Sequence, residues 1–353
     1  VGDAPLLSTE TMASLAATQA PLSVLTAMME DPTGYGRIVK NESGCIAEIV
    51  EHRDASAQQK QICEINTGVM ASSAAHLHHW LPQLVDDNDQ RELLLTDIVA
   101  LANGAALEVE AYLSEDFLEV TGINSFSQLA ALESALQRRR ADTLLASGVQ
   151  IVDPDRFDLR GELECGTDVY IDINCVFEGS VSLGDGVSIG AGCSIKDAVI
   201  EANSVIKAYS VLDDCHVGAE SQVGPFARLR PGTLLHRAVH IGNFVEVKNT
   251  EVGIGTKASH LTYLGDSVIG SEVNIGAGTI TCNYDGVLKH TTRIEDHVFV
   301  GSNTAFVAPV TIGAGSTIGA GSTITKDVEE GELAISRGKQ KTVTNWKRPE
   351  GDQ

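Results

Sequence analysis

An apolar side chain returns every sixth residue, occasionally every fifth, through most of the second half of this chain. The series runs Leu183, Ile189, Ile195, Ile200, Ile206, Leu212, Val217, Val223, Leu229, Leu235, Ile241, Val247, Val252, Ala258, Leu264, Ile269 and Ile275. It resumes at Ile294, Val300, Phe306, Ile312, Ile318 and Ile324, and glycine often follows the apolar residue, as at Gly184, Gly190, Gly242, Gly276 and Gly301. A period of six fits neither a 3.6-residue helix nor a plainly alternating strand. It fits short strands joined by tight corners, three to a coil, stacked as a parallel β-solenoid. Such an interior is narrow, so aromatic rings are not expected inside it. The composition agrees: 34 glycines and only 5% aromatics among 353 residues.

The period breaks once, between Thr281 and Arg293, at Cys282-Asn-Tyr-Asp-Gly-Val-Leu-Lys-His. An insertion in a solenoid lies on one face and is often functional, although a tolerated surface loop is the plain alternative.

Residues 1–124 read differently. Gly44–Val50, Ile65–Met70 and Leu107–Tyr112 look like strands, and Thr9–Ala17 and Thr96–Ala102 like helices with Ser8 and Thr96 as N-caps. Alternation of this kind indicates an α/β unit. Leu129, Leu132, Leu136, Leu144 and Leu145 predict a connecting helix over 125–150, on which Arg138-Arg139-Arg140 reads as a solvated face. The expected organisation is thus an α/β part (1–124), a linker helix (125–150), a β-solenoid (151–332) and a C-terminal tail (333–353).

Net charge is −23 and unevenly spread: 10 cationic against 26 acidic residues up to Glu164, and 15 against 22 from Cys165 onward. A surface that tracks nucleic acid or an anionic membrane needs many cations, so neither is an expected partner. No apolar run approaches the roughly 18 residues of a membrane span, and no signal peptide is readable. Seven scattered cysteines without a Cys-x-x-Cys read as reduced thiols of a cytoplasmic protein.

Three stretches of the solenoid carry chemistry: Arg228-Leu-Arg230-Pro-Gly, Asn243-Phe-Val-Glu246-Val-Lys248 and His260-Leu-Thr-Tyr263-Leu-Gly-Asp266. Coil stacking can bring Arg230, Lys248 and His260 together. Arg offers a bidentate fork and Lys a point charge, a pair suited to a phosphate monoester. His260 is a candidate general base and Glu246 a candidate orienting partner. The plainer reading makes the cations rim charges and His260 a corner residue. His76-Leu-His78-His79 lacks a partner cluster and reads as a solvated helix, while Gly313-Ala-Gly315 lacks the βαβ context of a dinucleotide loop. Asp3, which the sequence puts just after an expected strand end, is a candidate Mg²⁺ ligand, since Mg²⁺ takes one or two carboxylates plus substrate phosphates.

The order GDAPLL, DPTGYGRI, IVEH, EINTG, TDI, GIN, FDLRG, GPFARLRPG, HIGNFVEVK, SHLTYLGD, VNIGAGTITCNYDG, VFVGSNTAFVAPV and AISR closely resembles the bacterial GlmU family. Its members are bifunctional N-acetylglucosamine-1-phosphate uridyltransferases and glucosamine-1-phosphate acetyltransferases. The resemblance covers essentially the whole chain and is densest between Gly224 and Ser336. It implies a Rossmann-like α/β nucleotidyltransferase domain followed by a left-handed parallel β-helix of hexapeptide repeats that forms a homotrimer with shared active sites. It implies synthesis of UDP-N-acetylglucosamine for peptidoglycan and, in Gram-negative bacteria, lipopolysaccharide.

Residue by residue, the resemblance makes His260 the catalytic base with Glu246 beside it. It assigns Arg230, Lys248, Tyr263, Asn274 and Lys289 to glucosamine-1-phosphate, and Ala277, Asn283, Tyr284, Ser302, Ala320 and Arg337 to acetyl-CoA. On the uridyltransferase side Asp3 and Asn124 match Mg²⁺ ligands, while Gly36, Glu51, Asn66 and Asn124 match sugar and nucleotide contacts. The family's Gly-rich opening with its basic, UTP-cradling residue has no counterpart here, and Val1 stands where the family usually has an aromatic. The expectation is a nucleotidyltransferase domain lacking its N-terminal part, with weak or no uridylyl transfer by this chain. Two other readings stay open: a hexapeptide-repeat acyltransferase with another amino-sugar acceptor, and a non-catalytic scaffold.

Overall fold

The computed structural model describes residues 2–86 and 91–346. The chain divides into two compact units, Val1–Ala135 and Leu136–Gln353. The division falls inside one helix, Phe126–Ala146, rather than at its start. Of the anticipated C-terminal tail, residues 347–353 lie outside the described residues.

The first unit is a five-stranded mixed sheet with helices. Its strands are β1 (Leu22–Met28), β2 (Arg37–Lys40), β3 (Ile46–Val50), β4 (Glu64–Ser72) and β5 (Val109–Leu113), in the order β3-β2-β4-β1-β5. Only β1 and β5 run parallel; the other neighbours are antiparallel. Sequence patterning did not reveal β1, because Leu22 through Ala27 are all buried and a strand covered on both faces does not alternate. Leu22 and Val24 pack with Trp80, Ile98 and Val99 on one side, and Leu25 and Ala27 with Leu15, Ile65 and Val120 on the other.

The helix Thr9–Ala16 is capped by Ser8, whose hydroxyl accepts from Thr11 N–H. Thr96 is not a cap: it lies within the 3₁₀ turn Leu95–Asp97, and the following helix, Ile98–Gly104, has Asp97 at its N-cap. The three-histidine segment sits on the helix Ala74–Trp80, where His76 stacks on the buried Trp80 at 5.0 Å.

The second unit is a parallel β-helix. Each coil contributes to two ladders, one of mostly two-residue strands and one of longer strands bent midway. The sixfold period has a direct backbone cause. Residues with left-handed φ stand in three columns, one per corner, typically 17 or 18 residues apart. One column includes Asn203, Glu220, Ala238, Gly255 and Glu272; a second, Gly192, Tyr209, Phe226, Phe244, Leu261, Gly278, Asn303 and Gly321; a third, Gly179, Asp197, Asp214, Gly232, Asn249 and Asp266. Glycine, Asn and Asp dominate because they tolerate this region best.

Every apolar residue of the hexad series points inward and is at most 4% exposed. The expectation that rings would not fit is corrected. Phe306 and Phe177 are fully buried, and Phe157 packs on Phe177 with centroids 5.7 Å apart. In its register row Phe177 lies between Leu159 and Ile195 of the adjacent coils, so the ring packs among aliphatic layers. Burial pushes the thiols of Cys193 and Cys215 up to about 12, so these two act as small apolar groups.

The first coil is covered by the helix from Leu136 onward. Ala141 is buried in the solenoid core and Leu144 packs on it. Gln137 donates to Leu159 C=O at 3.0 Å and accepts from Leu159 N–H at 2.8 Å. Arg138–Arg140 are therefore not simply a solvated face: Arg138 pairs with Asp142 and Asp155, and Arg140 donates to Leu159 C=O. No helix among the described residues is long and apolar enough to cross a membrane.

Candidate active sites

In the β-helical unit, one corner column collects much of the expected chemistry. Asn243, His260, Ala277, Ser302 and Ala320 each immediately precede the left-handed residue of that corner, on successive coils. Backbone bonds lock the column: Leu261 N–H donates to Asn243 C=O (3.0 Å), Gly278 to Leu261 (3.1 Å), Asn303 to Ala277 (2.7 Å) and Gly321 to Ser302 (2.8 Å). Arg337 Nη1 donates to Ala320 C=O at 2.6 Å, closing the upper end. Above the imidazole of His260 the column presents only small side chains, which leaves the backbone approachable by a ligand.

The partner of His260 is a correction. Its Nδ1 meets Asn243 Oδ1 at 2.5 Å. Glu246, expected to orient the ring, instead accepts from Arg230 Nη1 at 2.8 Å. The two sit on different ladders, with Asn243 beside His260 and Glu246 beside Tyr263. Asn243 escaped the sequence reading, although it stands one 17-residue coil before His260 at the same hexad position.

The cations do converge. Arg230, Lys248 and Gly265 occupy one register row of neighbouring coils. Lys289 reaches the same place from the inserted segment: shared hydrogen bonding with Lys289, then the charges of Lys289 and Arg230, hold Lys248 below the ordinary lysine range. Among the described residues no carboxylate lies within ion-pair distance of Lys248. Arg230 and Lys289 each have a carboxylate nearby, Glu246 and Asp266 respectively, so Lys248 is the cation of the three without one. Tyr263 lies alongside, its hydroxyl occupying the space a side chain at Gly265 would take.

The insertion is a small hairpin, with Tyr284 and Lys289 bridged antiparallel. Asp285 accepts from Val287 N–H (2.8 Å), Leu288 N–H (2.7 Å) and His290 Nε2 (2.7 Å), which lowers its carboxyl to about 2. Asn283, expected to contact acetyl-CoA, donates its amide to Asp266 and so anchors the hairpin. Asp266 also accepts from Asn249 at 2.6 Å and lies 4.0 Å from Lys289. Neither Asp266 nor Asn249 had been singled out as a site anchor; both are corner residues whose signal is their place in the third left-handed column. The Tyr284 hydroxyl donates to Gly286 C=O within the hairpin.

Asn274 is not brought to the cations within one chain. It lies on the other ladder, in the row His240–Lys257–Asn274–Phe299.

In the α/β unit, Asp3, Gly36, Glu51, Asn66 and Asn124 all line one cavity of about 420 Å³. Gly36 makes room for it: a Cβ there would lie 3.2 Å from Ile49 Cγ2 and 3.4 Å from Glu51 Oε1. Asn66 N–H donates to Gly36 C=O at 2.9 Å, and Ile123 N–H to Asp3 C=O at 2.8 Å, so distant segments are tied around the opening. That backbone bond to Ile123 holds Asp3 at the opening. Burial, then Asp54 and Asp97, pushes the Glu51 carboxyl up. The lining contains two carboxylates and no Lys, Arg or His. No group of three His, Cys, Asp or Glu able to hold a metal occurs among the described residues.

Residues 159–258 match the GMPPB C-terminal domain, and residues 291–326 match the bacterial transferase hexapeptide family (six repeats). The hexapeptide repeats make this a left-handed β-helix. Among solved structures, the UDP-N-acetylglucosamine acyltransferase of Campylobacter jejuni aligns with 53% of this chain and 71% of its own at 17% identity, with a TM-score of 0.40. The bifunctional protein GlmU of Burkholderia thailandensis is 53% identical over 99% of this chain and 77% of its own length. That of Marinobacter nauticus is 52% identical over the same shares. At that identity along nearly its entire length, this chain belongs to the bifunctional GlmU family.

Proposed function

We propose that the β-helical unit transfers an acetyl group from acetyl-CoA to the amine of glucosamine-1-phosphate. The observation that carries this reading is the convergence of Arg230, Lys248 and Lys289, in which Lys248 has no carboxylate at ion-pair distance, a ready receptor for a sugar phosphate. The small-residue column above His260 supports a thioester lying along Ala277, Ser302 and Ala320, with Arg337 at its upper end and Asn283 and Tyr284 of the hairpin as further contacts. His260 takes the proton as the amine attacks the carbonyl; the C–N bond forms, the C–S bond breaks, and the proton passes to the departing thiolate. The Ala277 backbone N–H is the proposed oxyanion donor. The cations hold the phosphate so that the amine sits within attacking distance.

The α/β cavity supports N-acetylglucosamine-1-phosphate uridylyl transfer, with Glu51, Asn66 and the Gly36 backbone facing the sugar. Asp3 and Asn124 would hold Mg²⁺: one carboxylate and one amide oxygen suit a hard cation that takes its remaining ligands from phosphates and water. When bound, the ion neutralises phosphate charge. Because the cavity lining has no cationic side chain, triphosphate binding there leans on that ion, and uridylyl transfer by this chain is expected to be weak. The combined product, UDP-N-acetylglucosamine, feeds peptidoglycan and lipopolysaccharide synthesis.

The proposed assembly is a homotrimer. Tyr209, Phe226 and Phe244 form an outward stack with centroids 5.2 and 5.4 Å apart, each about half exposed, and Leu261 extends it. Such a column supports burial against neighbouring subunits. The separation of Asn274 from the cations supports a site that a second subunit completes. Seven free cysteines support a reducing, cytoplasmic setting.

The deciding assay follows CoA release with glucosamine-1-phosphate, then pyrophosphate release after adding UTP and Mg²⁺. His260→Ala is expected to lower the acetyl-transfer rate by about 10²–10⁴-fold. Wild-type turnover in that variant, or no CoA release with glucosamine-1-phosphate, overturns the reading.

A further inference from the structure

His260 and Asn243 are register partners on adjacent short strands, Lys257–His260 and His240–Asn243. Their backbones are pinned: Leu261 N–H donates to Asn243 C=O at 3.0 Å, and Thr262 Oγ1 donates to His260 C=O at 2.8 Å. In that frame His260 Nδ1 stands 2.5 Å from Asn243 Oδ1. An amide oxygen only accepts, so this contact needs the proton on Nδ1. The neutral ring then has its lone pair on Nε2.

We infer that Asn243 is the positioning residue of His260, fixing both the ring's orientation and its Nδ1–H tautomer so that Nε2 is the basic atom. The inference deepens the acetyl-transfer reading and rests on it. An amide has a chemical advantage in this place. A carboxylate would pull the ring toward imidazolium, whereas a neutral acceptor selects the tautomer without that pull. The carboxylate expected beside the ring, Glu246, is engaged by Arg230 at 2.8 Å.

Other titratable groups share these two strands. His240 lies on the strand of Asn243 and Lys257 on that of His260, while the charge of Lys207, two coils earlier, acts on His240. Burial, then Lys207, Lys257 and His260, hold His240 below the ordinary histidine range.

The test uses the whole chain labelled with ¹⁵N-histidine, with His260 assigned by the signal lost in His260→Gln. Above the ring's titration, the wild type is expected to show a protonated Nδ1 and an unprotonated Nε2. Asn243→Leu, of similar volume but without an acceptor, is expected to lose that tautomer preference and about 10–100-fold in kcat, with little change in KM for either substrate. Asn243→Asp retains an acceptor, so it is expected to keep the tautomer while moving the acid limb of the kcat–pH profile upward by about one unit or more. Native-like amide spectra of both variants separate these effects from misfolding, and Asn243→Asp keeps the test open should Asn243→Leu unfold.

An unprotonated Nδ1 in the wild type overturns the inference. So does an unchanged tautomer, kcat and pH profile in both variants. Full activity in His260→Ala instead overturns the underlying acetyl-transfer reading, and the tautomer spectrum distinguishes the two failures because it needs no turnover.

Discussion

Glu246 accepts a hydrogen bond from Arg230 at 2.8 Å, with each side chain about one-third exposed, and so braces a cation instead of the imidazole. Glu246→Gln should therefore act on sugar-phosphate binding. The expected result is a rise of a few-fold in KM for glucosamine-1-phosphate, as for a partly exposed ion pair of about 1 kcal/mol. The kcat–pH profile should stay put; a profile shifted as for loss of a base partner would return Glu246 to His260.

Lys248→Ala removes the cation that has no counter-charge of its own. Charge-assisted hydrogen bonds contribute about 1.5–3 kcal/mol, so KM for glucosamine-1-phosphate should rise by about 10–100-fold. Acetyl-CoA binding, measured by calorimetry without the sugar, should be nearly unchanged. Equal losses for both substrates would contradict the separation of the cation row from the small-residue column.

Gln137→Leu tests the cover on the first coil. The substitution removes the side-chain acceptor of Leu159 N–H and one donor to its C=O, at a site only 8% exposed. Leaving a buried donor unsatisfied costs about 1–3 kcal/mol, read as a lower urea midpoint. Acetyl transfer per folded molecule should not change.

Asp285 predicts a pH-dependent hairpin. Its carboxyl sits at about 2 in the folded chain against an ordinary 3.8, because His290 and the Leu288 and Val287 N–H groups favour the ionised form. A depressed folded pKa contributes stability above the unfolded value, and that contribution disappears as pH falls through the folded one. Hydrogen exchange at Val287 and Leu288 should be faster in Asp285→Asn than in the wild type near pH 6. The two should converge toward pH 2.

Legibility differed between the two units for a physical reason. In the β-helix every coil repeats the same local problem, so Ile241, Ala258 and Ile275 announce their inward direction by spacing alone. In the α/β unit, β1 has no such signature. Leu22–Ala27 is buried on both faces, with Ser23 and Thr26 fully buried, and only its neighbours make those polar residues tolerable. Thr26, for instance, donates to Glu64 at 2.8 Å.

The residue types of the site were legible too: Arg230, Lys248, Lys289 and His260 stand out as chemistry in a solenoid of small side chains. The sequence by itself determined the sixfold period, the inward-facing residues, the break at Cys282–His290 and the family. Which side chain holds which was decided only by tertiary structure. Glu246 is 14 residues before His260 and Asn243 is 17, and in linear terms the nearer carboxylate is the better partner. One coil is 17 or 18 residues, so stacking sets Asn243 against the ring and turns Glu246 toward Arg230. Hydrogen bonds are short-ranged and directional, and they follow that register rather than distance along the chain.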